Sequence, residues 1–533
     1  MVEQNRGSKG ASRRQFVQYI GGATAVGTAL TAGCLGGDET DDGQMDVEII
    51  PSSGGADTLD PHQSAGIPAA SLTSNIYEGL LTRSPMGEIE PQLATDWYRV
   101  EPGQYRFELR EGVSWHDGSE LTAEDAAYSI RRIVDDDVGG IVSDRQGHVI
   151  GIDDAVAVDD YTLDVLSDGL NTMVETAAAS YLGIAIMQED FIEGNDLATV
   201  GTDAVGTGPH EVVEFVGEDT ALLEPFDDYW GDVPEFGEVR YTGVEESATR
   251  VNQLLADEVD LIETLPPADV PRVVDEDGIS FDSEPASRVI HGVMDVTVEP
   301  WDSVEFRRAM NYAVDNEEYI ENILQGFGTV SSQPGLPEMY GYNPDLDPYE
   351  YDPARAEELI EESGYGGMEL ELSFGVGRML LDVEFVTAIA GYIDDLDNVS
   401  CEVNELDLTT FGTLWNDEPD PDEMDFFIVG YGHPAFNTAQ SLNAILLDPF
   451  IGRWARGESD AYFECQSLVE EAAGTEDVDD REELLQEAAA IAHEEAAWLF
   501  CHQQESIYGI NDDFDWQPRR DELMSARNAG PAE

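Results

Sequence analysis

Apolar and polar residues alternate along Tyr105-Arg106-Phe107-Glu108-Leu109-Arg110, along Tyr161-Thr162-Leu163-Asp164-Val165 and along Met368-Glu369-Leu370-Glu371-Leu372. A period of two puts every second side chain on one face, so each stretch predicts a half-buried strand. Asp46-Val47-Glu48-Ile49-Ile50 predicts a first strand, stopped by Pro51 and a Ser-Gly turn. The unbroken run Phe426-Phe427-Ile428-Val429 predicts a strand buried on both faces. Elsewhere the period is helical. Thr122 and Asp125 form a capping box, after which Ala126, Ala127, Ile130 and Val134 share one face. Asp352-Pro353 opens a helix with a cap and a first-turn proline, and Ser363-Gly364 closes it. Residues 481–498 predict a long amphipathic helix. Strands and helices interleave with no fixed repeat, so the fold class is mixed α/β in several layers.

One segment stands outside this pattern. Ser12-Arg13-Arg14-Gln15-Phe16 precedes a weakly apolar stretch, 17–31, rich in Gly, Ala and Thr, and Leu30-Thr31-Ala32-Gly33-Cys34 follows it. The stretch is too short and glycine-rich to span a bilayer, which takes roughly 20 well-buried apolar residues. Paired arginines, a short apolar region and small residues before a cysteine resemble a twin-arginine export signal ending in a lipobox. Residues 1–33 are then the signal, with Arg13 and Arg14 its recognition pair, and Cys34 the lipidated first residue of the mature chain. A plain signal peptide is the competing reading and differs in the fate of Cys34. Residues 34–45, mostly glycine and acid, suit a solvated tether.

Composition narrows the chemistry. With 533 residues and 41 % hydrophobic content the chain buries a large core in two or three domains. It carries 113 acidic against 25 basic residues, a net charge of −88, and the acids are scattered through the apolar periodicities instead of forming a tail. That describes a hydrated acidic shell, tolerable where molar salt shortens the screening length to about 3 Å. The one lysine is Lys9; every basic residue after Cys34 is arginine. A phosphate loop ending in Gly-Lys-Ser/Thr, a Schiff-base lysine and a lysine general base are therefore excluded from the mature chain. Nucleic acid is an unsuitable partner for so acidic a surface. Cys401, Cys465 and Cys501 form no C-x-x-C pair and read as buried small hydrophobes, with at most one disulfide among them.

Several motifs recur in a fixed order. Thr58-Leu59-Asp60-Pro61-His62 is followed by Tyr77-Glu78-Gly79-Leu80-Leu81-Thr82, Pro91-Gln92-Leu93-Ala94-Thr95-Asp96-Trp97 and Gly112-Val113-Ser114-Trp115-His116-Asp117-Gly118. Gly206-Thr207-Gly208-Pro209, Arg250-Val251-Asn252-Gln253-Leu254, Phe306-Arg307-Arg308-Ala309-Met310-Asn311-Tyr312-Ala313 and Tyr351-Asp352-Pro353-Ala354-Arg355-Ala356 come after. Together they resemble the family 5 extracellular solute-binding proteins, the dipeptide, oligopeptide and nickel receptors of ABC importers. The resemblance implies a two-lobed periplasmic-binding-protein-like fold of type II, cluster C, with an extra peripheral domain. Lobe I is expected over 46–83, 200–292 and 503–533, the peripheral domain over 84–199 and lobe II over 293–502. His116 beside Asp117 reads as a hydrogen-bonded structural residue at a strand-to-helix turn.

The resemblance also implies a ligand site. Peptide-binding relatives hold an extended ligand by backbone groups of a strand just after the Leu-Asp-Pro motif and of a strand in the second lobe. Here these positions are Ala65, Gly66 and Ile67, and Gly430, Tyr431 and Gly432, with His433 beside them. Tyr431 is either a ligand contact or a core aromatic. Those relatives carry an aspartate a few residues beyond a tryptophan-containing segment, neutralising the ligand's amino terminus; this chain reads His433-Pro434-Ala435 instead. Either another acid substitutes, or the solute is a sugar, a nickel chelate or another non-peptide. The expectation is a monomeric, lipid-anchored receptor on the outer face of the cytoplasmic membrane, delivering peptide-like solutes to the membrane subunits and ATPases of an ABC permease. No cofactor, metal or catalytic residue is expected. A secreted hydrolase is the rival, but His493-Glu494-Glu495-Ala496-Ala497 lacks the second histidine of a zinc-protease helix, and no Gly-x-Ser-x-Gly elbow is present.

Overall fold

The computed structural model describes residues 45–532 except 51–53, 65, 142, 144–148, 150, 168, 181–182, 235, 417–423, 447–452, 458 and 528. Arg13, Arg14, Cys34 and Ala65, and with them the expected signal and nearly all of the tether, lie outside the described residues.

One eleven-stranded sheet runs through both lobes. Its strands are β1 (Met45–Ile50), β2 (His210–Phe215), β3 (Thr220–Pro225), β4 (Phe236–Thr242), β5 (Leu261–Ile262), β6 (Ile279–Met294), β7 (Gly328–Val330), β8 (Met368–Gly375), β9 (Val399–Leu406), β10 (Phe426–Gly432) and β11 (Leu499–Asn511). Their spatial order is β2-β3-β4-β1-β5-β11-β6-β10-β8-β9, with β7 on β11. The long antiparallel pair β6 and β11 crosses from one lobe to the other. It pairs from Ile279↔Asn511 to Pro285↔Glu505, breaks, and resumes at Val289↔Gln503. Pro285 has no N–H to give, and Ser287 donates instead to the Arg520 carbonyl at 2.7 Å. The ladder is thus interrupted between Pro285 and Val289.

Each lobe has its own core. Val47, Ile49, Leu59, Phe236, Val239, Tyr508 and Trp516 pack in lobe I; Trp301, Phe306, Leu372, Phe374, Phe385 and Phe426 pack in lobe II. The extra domain is a four-stranded antiparallel sheet of Ala94–Glu101, Gln104–Leu109, Thr162–Leu166 and Asp154–Asp159 in spatial order. Phe107, Trp115 and Leu163 form its core with Ala126 and Ile130 of a helix. Five helices enter the argument below: α1 (Ile67–Thr73), α2 (Ala123–Val134), α3 (Pro353–Ser363), α4 (Asp382–Asp394) and α5 (Val478–Glu494). The capping box of Thr122 and Asp125 starts α2, and Gly364 ends α3 in the left-handed conformation at φ 83°. α5 stops at Glu494, four residues before the expected end, because Ala496 turns at φ 45° and the chain enters β11 at Leu499. Cys401, Cys465 and Cys501 are buried and free. Among the described residues no helix is long and apolar enough to cross a membrane.

Candidate functional site

The strand directions locate a cleft. β4, β1 and β5 are parallel. β5 runs antiparallel to β11, from Ile510 toward Gly509, so its carboxyl end points at the interrupted middle of the crossing pair. In lobe II, β8 is parallel to β9 and β10, and β10 ends with Gly432 opposite Arg288, again at that middle. The carboxyl ends of both parallel sets therefore meet between the lobes, where open α/β sheets place their ligands.

Among the charged side chains of this region, Arg288, Glu522, Arg378 and Glu263 concern the site. Arg288, on β6, forms a two-pronged pair with Glu522: Nε lies 3.1 and 3.0 Å from the two carboxylate oxygens and Nη2 2.9 Å from one of them. Gln504 donates to the same carboxylate at 3.0 Å. The Arg288 stem lies over Gly430 and Gly432; a Cβ on Gly430 would stand 2.9 Å from Ile290 and 3.2 Å from the Arg288 Cδ. A side chain at 430 would thus crowd Ile290 first and the Arg288 stem next.

Arg378 lies just beyond the carboxyl end of β8, in a loop held from behind by Asp382. One carboxylate oxygen of Asp382 accepts the backbone N–H groups of Gly377, Arg378 and Met379 at 2.8, 2.9 and 3.2 Å. Leu380 packs on the lobe I cluster of Ile50, Val251 and Leu265, so the loop spans the cleft. Arg378 remains exposed, yet desolvation and then the charge of Arg288 push its pKa down to about 10. That combination marks a side chain reachable by solute but hemmed in by protein.

Glu263 lies one residue past the carboxyl end of β5. It is 6 % exposed, and burial, followed by the charge of Glu522, pushes its pKa up to about 8 against the opposing Arg288 and Arg250. Burial thus favours the protonated carboxyl, whereas a neighbouring cation favours the ionised one.

The sequence-derived positions divide. Gly430, Tyr431 and Gly432 lie at the cleft end of β10, with Tyr431 and Gly432 half-buried. His433 has no exposed surface; its Nδ1 is 3.0 Å from the Ser441 hydroxyl and burial pushes its pKa down to about 3. It is a packing residue below the cleft, which corrects its expected place among ligand contacts. For Gly66 and Ile67 the expected strand is also corrected. Gly66 is an exposed N-cap with extended backbone and Ile67 begins α1, Pro68 favouring the first turn of a helix. That helix packs on the segment that supplies Glu522, through Ala70 against Leu523 and the Ser71 hydroxyl 3.1 Å from the Met524 N–H. His116 accepts the Gly206 N–H at 3.2 Å and lies 3.0 Å from the Gly208 carbonyl, a hydrogen-bonded structural residue as read, and His493 of the rejected zinc motif bonds the Ser332 carbonyl.

Arg378, Glu263, Arg288 and Glu522 were not singled out from sequence. Arg378 had a usable signal: a scarce cation in Gly375-Val376-Gly377-Arg378, after a strand pattern. Glu263 and Glu522 had none, being two acids among 113.

A family model described as bacterial extracellular solute-binding proteins, family 5 Middle, matches residues 88–449. The dipeptide-binding protein of Escherichia coli (strain K12) is 28 % identical over 322 residues, covering 56 % of this chain and 58 % of that protein's length. Heme-binding protein A of Haemophilus influenzae is 24 % identical over 442 residues, covering 77 % and 78 %. The solved structure of periplasmic binding protein DppA from Helicobacter pylori in complex with the peptide STSA matches with a TM-score of 0.81 at 20 % identity, covering 92 % of this chain and 99 % of that one. The last likeness shows a shared two-lobed fold.

Proposed function

Because this chain belongs to the bacterial extracellular solute-binding proteins of family 5, we propose that it captures short peptide-like solutes between its lobes and delivers them to an ABC permease and its ATPases. The observations that carry this reading are the exposed Arg378 at the carboxyl end of β8, for a carboxylate, and the buried Glu263 just past β5, a carboxyl that ionises to meet an ammonium. β10 supplies a third contact. It pairs with β8 only at Phe427, so residues 428–432 run past that ladder with an edge suited to an extended backbone. The lobe boundaries at 292/293 and 502/503 belong to this proposal; both fall within the crossing strands. Closure then follows from a solute that binds both walls and so favours the closed state over the open one.

A second reading, a solute without a free amine, is favoured by one contact. The Ala435 carbonyl, just past Tyr431, accepts a hydrogen bond from the Arg83 guanidinium at 2.8 Å. A cation of the protein itself thus stands in the segment where peptide-binding relatives carry an aspartate. Calorimetric titration with a dipeptide, its amino-acetylated form and its carboxyl-terminal amide separates the two readings. For the peptide reading the free dipeptide binds best, and binding at pH 7 releases protons as Glu263 ionises, seen as an enthalpy that varies with buffer. Equal binding of the acetylated form with no proton release favours the second.

The location belongs to the same proposal: export by the twin-arginine route and tethering through a lipid on Cys34, which confines the receptor near its permease. Mass spectrometry of the membrane fraction is expected to find a mature chain beginning at an acylated Cys34; an unmodified thiol there contradicts the anchor.

A further inference from the structure

The lobes also touch through side chains of the protein itself. Arg83 ends the short strand Leu81–Arg83, which pairs with Ile89–Pro91 in a hairpin where lobe I passes into the extra domain. The hairpin is tied to the lobe I segment that supplies Glu522: Arg519 Nη2 donates to the Arg83 carbonyl and the Arg520 N–H to the Pro85 carbonyl, both at 3.0 Å. From this base the Arg83 side chain reaches lobe II. One terminal nitrogen donates to the Gly87 carbonyl of its own hairpin at 2.7 Å, and the other to the Ala435 carbonyl at 2.8 Å. The guanidinium carbon lies 4.9 Å from the centre of the Phe436 ring, a range at which a cation over a ring is attracted.

Lobe II holds its half of the contact in place. The Ala435 N–H donates to the Gln440 side chain and the Phe436 N–H to the His433 carbonyl, both at 3.0 Å, so the turn 433–436 is fixed within its own lobe. Phe436 has φ 52°, in the left-handed region, which is costly for a bulky side chain and persists where its surroundings impose it. That conformation seats the ring on the hairpin. A Cβ at Gly87 would stand 2.8 Å from the ring, so glycine at 87 makes the room. Ring and arginine are 8 % and 6 % exposed. Burial pushes the Arg83 pKa down to about 10, opposed by Asp521, so the guanidinium stays charged at neutral pH.

We propose that Arg83 is a positioning residue for solute capture: by holding the Ala435 carbonyl and the Phe436 ring across the lobe boundary, it favours the closed arrangement before a solute arrives and slows release afterwards. Such a latch works only if the lobes close on solute as proposed above. Acid spread through both lobes opposes their approach, and Arg83 meets a carbonyl and a ring, partners that add no further negative charge. A closed arrangement already populated without solute also tightens binding, because affinity rises with the fraction of protein in the competent state.

Small-angle scattering in molar salt compares the unliganded wild type with Arg83→Met and Phe436→Gly. Glycine adopts the φ of residue 436 without strain, so the second variant loses the ring while easing the local backbone. Both variants are expected to show a larger radius of gyration than the wild type. In stopped flow a free dipeptide is expected to leave both variants roughly tenfold faster, the scale of one lost hydrogen bond to a charged group; Arg83→Lys, which keeps a charged donor, lies between. Saturating dipeptide returns all the proteins to the same compact radius, which a misfolded variant would not do. Equal radii of the unliganded wild type and variants overturn the latch. That comparison involves no solute, so it is decided separately from the peptide reading: a protein that binds no dipeptide yet expands in Arg83→Met keeps the latch and loses the peptide. Should Arg83→Met fail to fold, Phe436→Gly decides by the same comparison.

Discussion

Arg378→Gln is expected to weaken binding of a carboxylate-bearing solute by about 30-fold or more while leaving the unfolding midpoint of the unliganded protein unchanged. Removing one partner of a desolvated charge pair costs about 2–5 kcal/mol, and every 1.4 kcal/mol is about tenfold in affinity. The fold should be indifferent because the Arg378 side chain is exposed, and because its loop is held through backbone N–H groups by Asp382, which the substitution leaves in place. Arg378→Lys keeps the charge but loses the planar fork, so an intermediate loss is expected. Titration calorimetry reads the affinity and scanning calorimetry the fold. Unchanged affinity in Arg378→Gln would remove this residue from the site.

The largest effect on stability is expected from Arg132→Met. Arg132 on α2 and Asp60 are both without exposed side-chain surface, and their two parallel contacts measure 2.9 and 2.6 Å. The pair joins the lobe I motif Thr58-Leu59-Asp60-Pro61-His62 to the extra domain, and Asp60 also accepts the His62 N–H at 3.0 Å and the Gln63 amide at 2.6 Å. Removing the arginine leaves a buried carboxylate without its partner, which costs about 3–5 kcal/mol. Burial by itself raises the Asp60 pKa, but the hydrogen bonds and charge of Arg132 hold it below the ordinary 3.8. A carboxyl with a lowered native pKa contributes stability that is complete above its unfolded value and is lost as pH falls through the native one. The destabilisation should therefore be full at neutral pH and shrink below about pH 3.8, where wild type and variant converge. Denaturant unfolding across that range in constant salt checks it; a pH-independent difference contradicts it.

The parts of the fold that sequence alone made legible are those set by local chemistry. The capping box at Thr122, the proline and glycine that bound α3, and the alternation in Gln104–Leu109 and Met368–Gly375 each act within a few residues. The two crossing strands were not legible. Residues 279–294 mix Pro285, Arg288 and Gly292 with apolar positions because one end lies in lobe I, the middle in the cleft and the other end in lobe II, so no single period holds. The cleft was half legible. Gly430-Tyr431-Gly432 was named through the resemblance, whereas the crowding of Gly430 by Ile290 and Arg288 depends on a strand distant in sequence. His433 illustrates the converse: its residue type suggested a ligand contact, and only its position below Tyr431, bonded to Ser441, shows a packing role. Asp60 likewise reads as a motif acid from sequence and proves to be a clamp between domains.

The account turns on solute recognition by a cationic Arg378 and an ionisable Glu263, and the comparison of a free dipeptide with its carboxyl-terminal amide addresses the first of these most directly. Titrated into the purified protein at pH 7, the free dipeptide is predicted to bind at least about tenfold more tightly than the amide, with protons released on binding. Equal affinity for the two, or no heat with either, would contradict recognition by Arg378 and Glu263 and with it the proposal of a peptide-like solute.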